Sequence, residues 1–341
     1  MLKSMLIEYL IIFFLNLFIY LNYQKIIKFY AVYDFPDKKR KIHKYKTSLL
    51  GGFIFFINIV FISSIILFSE NFSYEYLVFF GDLNQYFLFI VVAFGFYLLG
   101  FYDDKHDLNA NLKFIIIICL ITFIIYFDDT LRIKLINFSF NEKRFILGKF
   151  DYLFSIFCFV AFINAFNLYD GINLQSGGYT LFILIFLTIL TNLNILIILF
   201  FFPLFLFLIL NSNGRIFLGN SGTYLISFLI AYLFIKVFNS YDVLHSDHVL
   251  AAMLIPGLDM IRLFAIRIKK KTSPFKPDRK HIHHKLLEYC GYNKTVILIN
   301  LISIFPLIFL FIFKNYFAII ISIFLYFIVI ALLDKLIKHA K

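Results

Sequence analysis

Tryptophan is absent from the 341 residues, cysteine occurs three times, proline six times, and only 15% of positions carry a formal charge. So few charges exclude the surface of a water-soluble globular protein, about a quarter of whose residues are charged. Cys119, Cys158 and Cys290 stand in two apolar runs and one basic loop, which excludes a disulfide framework. Without tryptophan, the aromatic belt that often marks helix ends in a bilayer cannot be used to place them.

What is present is apolar. Residues of the set AVILMFWYC make up 62% of the chain, with 50 Phe and 22 Tyr, and mean hydropathy is +0.89. They come in runs separated by short charged segments, the spacing that a hydrocarbon slab roughly 30 Å thick demands of helices. This predicts an all-α polytopic membrane protein. Spans are expected at 5–23, 51–69, 85–102, 113–127, 152–168, 178–192, 194–210, 223–238, 249–266, 296–313 and 316–334, with Pro203 kinking the seventh. That is eleven helices, or ten if two merge, in one integral membrane domain over 1–341 with no room for a large soluble domain. The first span reads as an anchor rather than a removed signal peptide.

A net charge of +12 would suggest nucleic acid if it covered one soluble face. Here it sits in loops and sets orientation instead. Eight Lys/Arg lie between Gln24 and Leu50 and nine between Arg267 and Lys294, so both segments are expected on the cytoplasmic side. The segments Glu70 to Gln85 and Asn239 to His248 have acids and no Lys or Arg, as expected of the far side. The N-terminus is then periplasmic, and the partner is the bilayer, not nucleic acid. One far-side loop, Leu131 to Phe150, alternates apolar and polar residues across Asn141-Glu142 and predicts a small periplasmic β-hairpin.

Candidate chemistry lies in the inner loops. Asp103 and Asp104 are adjacent carboxylates at a helix end, which repel unless a cation lies beside them. Either a divalent metal or an ordinary solvated loop accounts for them. Asn164, Asn167 and Asp170 recur every three residues along one helix face and are followed by Gly171 and Asn173. Such polar groups beside an apolar span bind a ligand or hydrogen-bond a neighbouring helix. Between Asn211 and Thr223, a Gly-punctuated loop leads into a helix, with Arg215, Asn220 and Ser221 as parts of an anion cradle or of a simple turn. Arg279, His281, His283 and His284 stand in the most basic loop, with groups suited to phosphate. The histidines with Cys290 also allow zinc, although the spacing is loose for a structural zinc set.

The strings GFYDDKHDL, NAFNLYDGIN, GRIFLGNSG and SPFKPDRKHIHH follow Asp34-Phe35-Pro36, Arg40-Lys41, His43 and Gly51-Gly52. In order, spacing and side they resemble the polyprenyl-phosphate N-acetylhexosamine-1-phosphate transferases, glycosyltransferase family 4, from Asp34 to His284. The PDRxHIHH form looks most like the undecaprenyl-phosphate N-acetylglucosamine-1-phosphate transferases of O-antigen and related polymers. The resemblance implies ten or eleven helices, a cytoplasmic active site in a bacterial inner membrane, and Mg²⁺ (or Mn²⁺) as cofactor. The phosphate of a polyprenyl lipid would attack a UDP-N-acetylhexosamine and release UMP, initiating a lipid-linked envelope glycan such as lipopolysaccharide; a homodimer is compatible with it.

Motifs and resemblance together give a catalytic set of Asp103, Asp104, Asp170, His281, His283 and His284, and substrate contacts from Lys113, Asn164, Asn167, Gly171, Asn173, Arg215, Ser221 and Arg279. Lys113 enters through the resemblance, as a phosphate-facing lysine. The metal set is Asp103, Asp104, Asp170 and Asn220. Two positions depart from the family pattern. Asn173-Leu174 replaces an Asp-Gly, and Asn220 replaces an Asp metal ligand, so a carbonyl stands where a carboxylate is usual. A family member without catalysis and, from another class, a proton-coupled carrier are the alternatives. A carrier would place its acids near mid-membrane rather than at span ends.

Overall fold

The computed structural model describes residues 2–36, 43, 45–68, 79–191, 200–275 and 278–339. Among them are α1 (Leu2–Tyr30), β1 (Tyr33–Asp34), β2 (Thr47–Ser48), α2 (Gly51–Phe68), α3 (Leu83–His106), α4 (Ala110–Phe127), β3 (Leu135–Phe138), β4 (Asn141–Ile146), α5 (Asp151–Tyr169), α6 (Gln175–Thr191), α7 (Phe202–Ser212), α8 (Gly219–Ser240), α9 (Ser246–Lys269), α10 (Ile282–Cys290), α11 (Tyr292–Phe313) and α12 (Tyr316–His339). A helix stands at each of the eleven expected spans. Eight of them are long and apolar enough to cross a membrane; the helices at 51, 175 and 202 are shorter. The chain is thus a helical, integral membrane protein. The expected loop at 70–78, the start of the seventh span, and Arg40, Lys41 and Lys276 lie outside the described residues.

Pro203 stands in the first turn of α7, with Phe200 and Phe201 before it in π-helical geometry; the residues preceding these, where the expected kink would bend the span, lie outside the described residues.

Burial sorts the helices into layers. α8 is apolar all round, and 94% of its most apolar stretch is buried, as a helix enclosed by others must be. α2, α3 and α5 pack directly on it. At Gly100 of α3 an added Cβ would lie 2.3 Å from the Asn220 carbonyl oxygen, so only glycine lets α3 approach the start of α8 this closely. α1 and α4 are mostly exposed along their lengths, as lipid-facing helices are. Asn16 and Asn58 exchange side-chain hydrogen bonds of 2.7 and 3.2 Å between α1 and α2, satisfying amides that hydrocarbon could not.

The ends of the bundle differ. β3 and β4 pair antiparallel, as the alternation predicts, but Phe138 faces Asn141. Ser139-Phe140 therefore form the turn, not Asn141-Glu142. The Ser139 amide and hydroxyl both donate to Asp247 at the start of α9, so a tertiary contact sets the register. At this end the buried Lys236 ammonium meets Asp128 at 3.1 Å. The opposite end gathers the close of α3, α5 and α9 with the start of α4, α6, α8 and α10.

Candidate active site

At that end lies a cavity of about 910 Å³, walled by Asp103, Asp104, Asn167, Asp170, Gly171, Asn173, Asn220, Thr223, Arg267, His281, His283 and His284. Tyr33, Asp34, Phe35 and His43 from the β1–β2 segment complete one side, and Phe217, Phe275 and Tyr292 others. Stretches far apart in the sequence therefore meet in one hollow.

The adjacent aspartates have separate tasks. Asp103 is 2% exposed; its Oδ2 meets the Lys113 ammonium at 2.8 Å and its Oδ1 accepts the Leu108 amide at 2.8 Å. Lys113 is thus the counter-charge of Asp103 and is absent from the cavity wall. Asp104 turns the other way. Its two oxygens accept the backbone amides of Asn220 and Ser221, at 2.8 and 3.0 Å.

The helix start that reads as an anion cradle is therefore filled by a carboxylate of the protein itself. Gly219 adopts φ +72, and a Cβ there would lie 2.8 Å from Asp104 Oδ2. Arg215, the expected cation of this cradle, instead lies over the Tyr23 ring at 5.3 Å, away from the wall.

α5 carries the amides inward. Asn167 Nδ2 donates to Thr223 Oγ1 at 2.8 Å and to Asn220 Oδ1 at 3.4 Å, which ties α5 to α8. Asn164, one turn earlier, donates to the Val160 carbonyl of its own helix and does not reach the cavity. Asp170 closes α5, with Ser176 donating to its Oδ1 at 2.5 Å. Burial pushes its carboxyl up to about 6, against the pull of that hydroxyl. Asn173 is held by Asn211, whose Oδ1 also accepts the Leu174 amide at 2.7 Å. That bond supports Leu174 at φ +66, a left-handed backbone that favours glycine.

The histidine rings stack. His281 and His283 are nearly parallel with centroids 5.3 Å apart, and His283 and His284 are 4.2 Å apart. His283 lies against Gly171, where a Cβ would come within 2.0 Å of its Nε2. The Asp-Gly pair thus needs its glycine for close approach of this ring. Burial holds His283 well below the ordinary imidazole range, with like charge from His284 and His281 adding to it. His284 is lowered to about 4, by burial first and then by His281 and Arg279. Both are neutral at pH 7 and so present dipoles and not cations to the cavity. Cys290 turns its thiol to the Leu286 carbonyl, which removes it from a zinc set with these rings.

Arg279 is absent from the wall and Arg267 takes that place. Arg267 is 3% exposed, donates to Asp278 and the Pro274 carbonyl, and has a buried Nη2 with no partner among the described residues. In the sequence it reads as one of many loop cations, because nothing there shows that the end of α9 faces the site. Gln175, within hydrogen-bond reach of His283 Nδ1, carries no sequence signal beyond its place after the Asp-Gly motif.

Among the described residues, no three His, Cys, Asp or Glu stand close enough to hold a metal ion. The carboxylates expected to converge on one cation share a cavity but do not form a ready cluster, and Asp103 is taken by Lys113. The remaining oxygen donors, Asp104, Asn167, Asp170 and Asn220, are of the type hard divalent cations accept. Asp170, a half-buried carboxyl raised to about 6 by its surroundings, gains from a positive charge beside it. The donor chemistry fits Mg²⁺, with the charge coming from two carboxylates.

Residues 86–238 match the profile of Glycosyl transferase family 4. Over 294 residues the chain is 28% identical to the undecaprenyl-phosphate alpha-N-acetylglucosaminyl 1-phosphate transferase of Salmonella typhi, covering 80% of this chain and 74% of that one. The enzymes of the same name from Escherichia coli K12 and Thermotoga maritima are 26% and 27% identical, over 77% and 78% of this chain and 71% and 76% of theirs.

Proposed function

We propose, for a chain that belongs to glycosyl transferase family 4, that it moves N-acetylhexosamine-1-phosphate from a UDP-sugar to undecaprenyl phosphate and releases UMP. N-acetylglucosamine is the first sugar to test, since it appears in the names of the relatives. The observation that supports this most is the cavity itself: carboxylates, amides, stacked imidazoles and one guanidinium whose Nη2 has no partner among the described residues line one hollow at the end of an apolar bundle. Placed at the cytoplasmic face of the inner membrane, it meets a water-soluble nucleotide from one side and a lipid phosphate from the other.

Two polyanions have to approach, so charge neutralisation is the main task. Arg267 offers its free Nη2 to a phosphate oxygen, with Asp278 and Pro274 fixing the guanidinium plane. His283 and His284, neutral and packed, orient the diphosphate without adding charge. Asn167, held by Thr223 and Asn220, presents its amide beside Asp170. Mg²⁺ held by Asp104 and Asp170, with carbonyl oxygens of Asn167 and Asn220, would supply the remaining positive charge. An acceptor phosphate with a second pKa near 6 is already largely dianionic at pH 7, so attack needs no strong base. The acids lie at helix ends beside basic loops, which disfavours a carrier.

The test is to incubate purified protein with undecaprenyl phosphate, Mg²⁺ and a panel of UDP-sugars and identify the nucleotide released. UMP is expected. UDP would indicate transfer of the sugar alone, and no nucleotide with any sugar would favour a non-catalytic relative, for which Asn220 is the motivating residue.

A further inference from the structure

We infer that Asp259, buried within α9, is a positioning residue for His281: it fixes Nδ1 as the protonated ring nitrogen and turns Nε2 to the cavity. Asp259 is 3% exposed, and its Oδ2 lies 2.7 Å from His281 Nδ1. An ionised carboxylate only accepts, so Nδ1 is the donor. His281 lines the cavity, and with Nδ1 committed, Nε2 is the nitrogen left to meet a ligand.

The carboxylate is itself held. Its Oδ1 accepts from Arg262 Nη2 at 2.7 Å, from Tyr326 Oη at 2.8 Å and from the Ile282 amide at 3.3 Å. Arg262 Nε donates to Tyr326 Oη at 2.9 Å, and Arg262 Nη2 also reaches the Lys280 carbonyl at 2.8 Å. Arg262 and Asp259 would already be a complete ion pair one helical turn apart. The second oxygen is given to His281, and the residues flanking that ring are tied to the same group.

The contrast with His283 sharpens the assignment. His283 Nδ1 faces the neutral amide of Gln175 at 3.4 Å, although the two rings stack in parallel. One ring of the stack is therefore backed by a carboxylate and the other by an amide. Tyr326 comes from α12, outside the family profile, so the last membrane helix is tied to the site through Asp259. In the sequence Asp259 is a lone acid in an apolar run, without a motif to mark it. A buried carboxylate that fixes the tautomer of an imidazole is a known device for presenting the opposite nitrogen to substrate.

The experiment uses the full chain in detergent micelles with ¹⁵N-labelled histidine. Wild type is expected to show one imidazole with a protonated Nδ1 and a far-downfield proton. That resonance should be absent from His281→Gln, should lose its downfield position in Asp259→Asn, and should persist in Tyr326→Phe, where Arg262 still holds the carboxylate. A wild-type spectrum without it, or Asp259→Asn that keeps it, overturns the inference. If Asp259→Asn does not fold, the wild-type resonance assigned through His281→Gln decides.

The kinetic arm rests on the proposed reaction. There Asp259→Asn should lower kcat for UMP release about 100-fold or more while KM for the UDP-sugar changes less than about threefold. An active wild type matched by this variant refutes the positioning role. Inactive wild type with the resonance present refutes the proposed function alone.

Discussion

Asp104 caps the helix that carries Asn220: its Oδ1 accepts the Asn220 amide at 2.8 Å, and its Oδ2 the next amide, of Ser221, at 3.0 Å. The positive end of α8 is thereby matched to a carboxylate from α3, and the two helices are fixed at the point where the cavity opens. Asp104→Asn retains the shape but loses the charge and one acceptor. It is expected to cost about 1–2 kcal/mol of stability, read by thermal denaturation in detergent, and to lower UMP release by about 100-fold or more. Full activity in this variant would remove Asp104 from the site.

Lys113 and Asp103 should behave as one unit. Lys113→Met leaves a buried carboxylate unpaired and is expected to cost about 3 kcal/mol, as is breaking other buried pairs. Combining it with Asp103→Asn should recover a large part of that loss. The check is a double-mutant cycle on thermal stability, and additive losses would show that the 2.8 Å contact carries no coupling.

Gly171→Ala puts a methyl where the His283 ring lies. The ring has to give way, so UMP release should fall about 50-fold or more while the melting temperature moves by only a few degrees. His283→Ala in the same background should remove the clash and restore the melting temperature to that of His283→Ala alone. A Gly171→Ala enzyme with wild-type kcat would show that the ring is not needed in this position.

Asp170 gives the site a pH dependence. Burial raises its carboxyl to about 6, so the stability it contributes to the metal-free protein is complete below the ordinary carboxylate range and is lost as pH rises through about 6. Mg²⁺ binds only the deprotonated form. Its apparent affinity, read as a thermal shift, should be level above about pH 6 and fall at least tenfold per unit below it, since the second carboxylate of the donor set, Asp104, has to be ionised as well. In Asp170→Asn the Mg²⁺ shift should be absent at every pH. An equal shift in both proteins would place the cation elsewhere.

Helix positions were legible in the sequence because, among the described residues, the apolar runs spaced for a bilayer are helical. What was not legible depends on contacts between distant segments. The hairpin turn looks like Asn141-Glu142 by turn propensity, yet Asp247 binds the Ser139 amide and hydroxyl and shifts the turn two residues earlier.

Within the site, the motifs placed Asp104, Asn167, Asp170, Gly171 and the three histidines on one wall. Partner choice was hidden. The sequence shows two adjacent acids and a lysine ten residues on, but not that Lys113 neutralises Asp103, leaving Asp104 to cap a helix 116 residues away. Arg267 and Arg279 are equivalent loop cations by composition. Only the packing of α9 gives Arg267 the cavity.

The most direct measurement follows the β-phosphorus. UDP-N-acetylglucosamine labelled in its β-phosphate is incubated with undecaprenyl phosphate, Mg²⁺ and the purified protein, and lipid and aqueous fractions are counted. The label should enter the lipid one-for-one with unlabelled UMP, and both should be lost in Asp104→Asn. Label retained in a water-soluble nucleotide, or released as inorganic phosphate, would contradict sugar-1-phosphate transfer at this cavity.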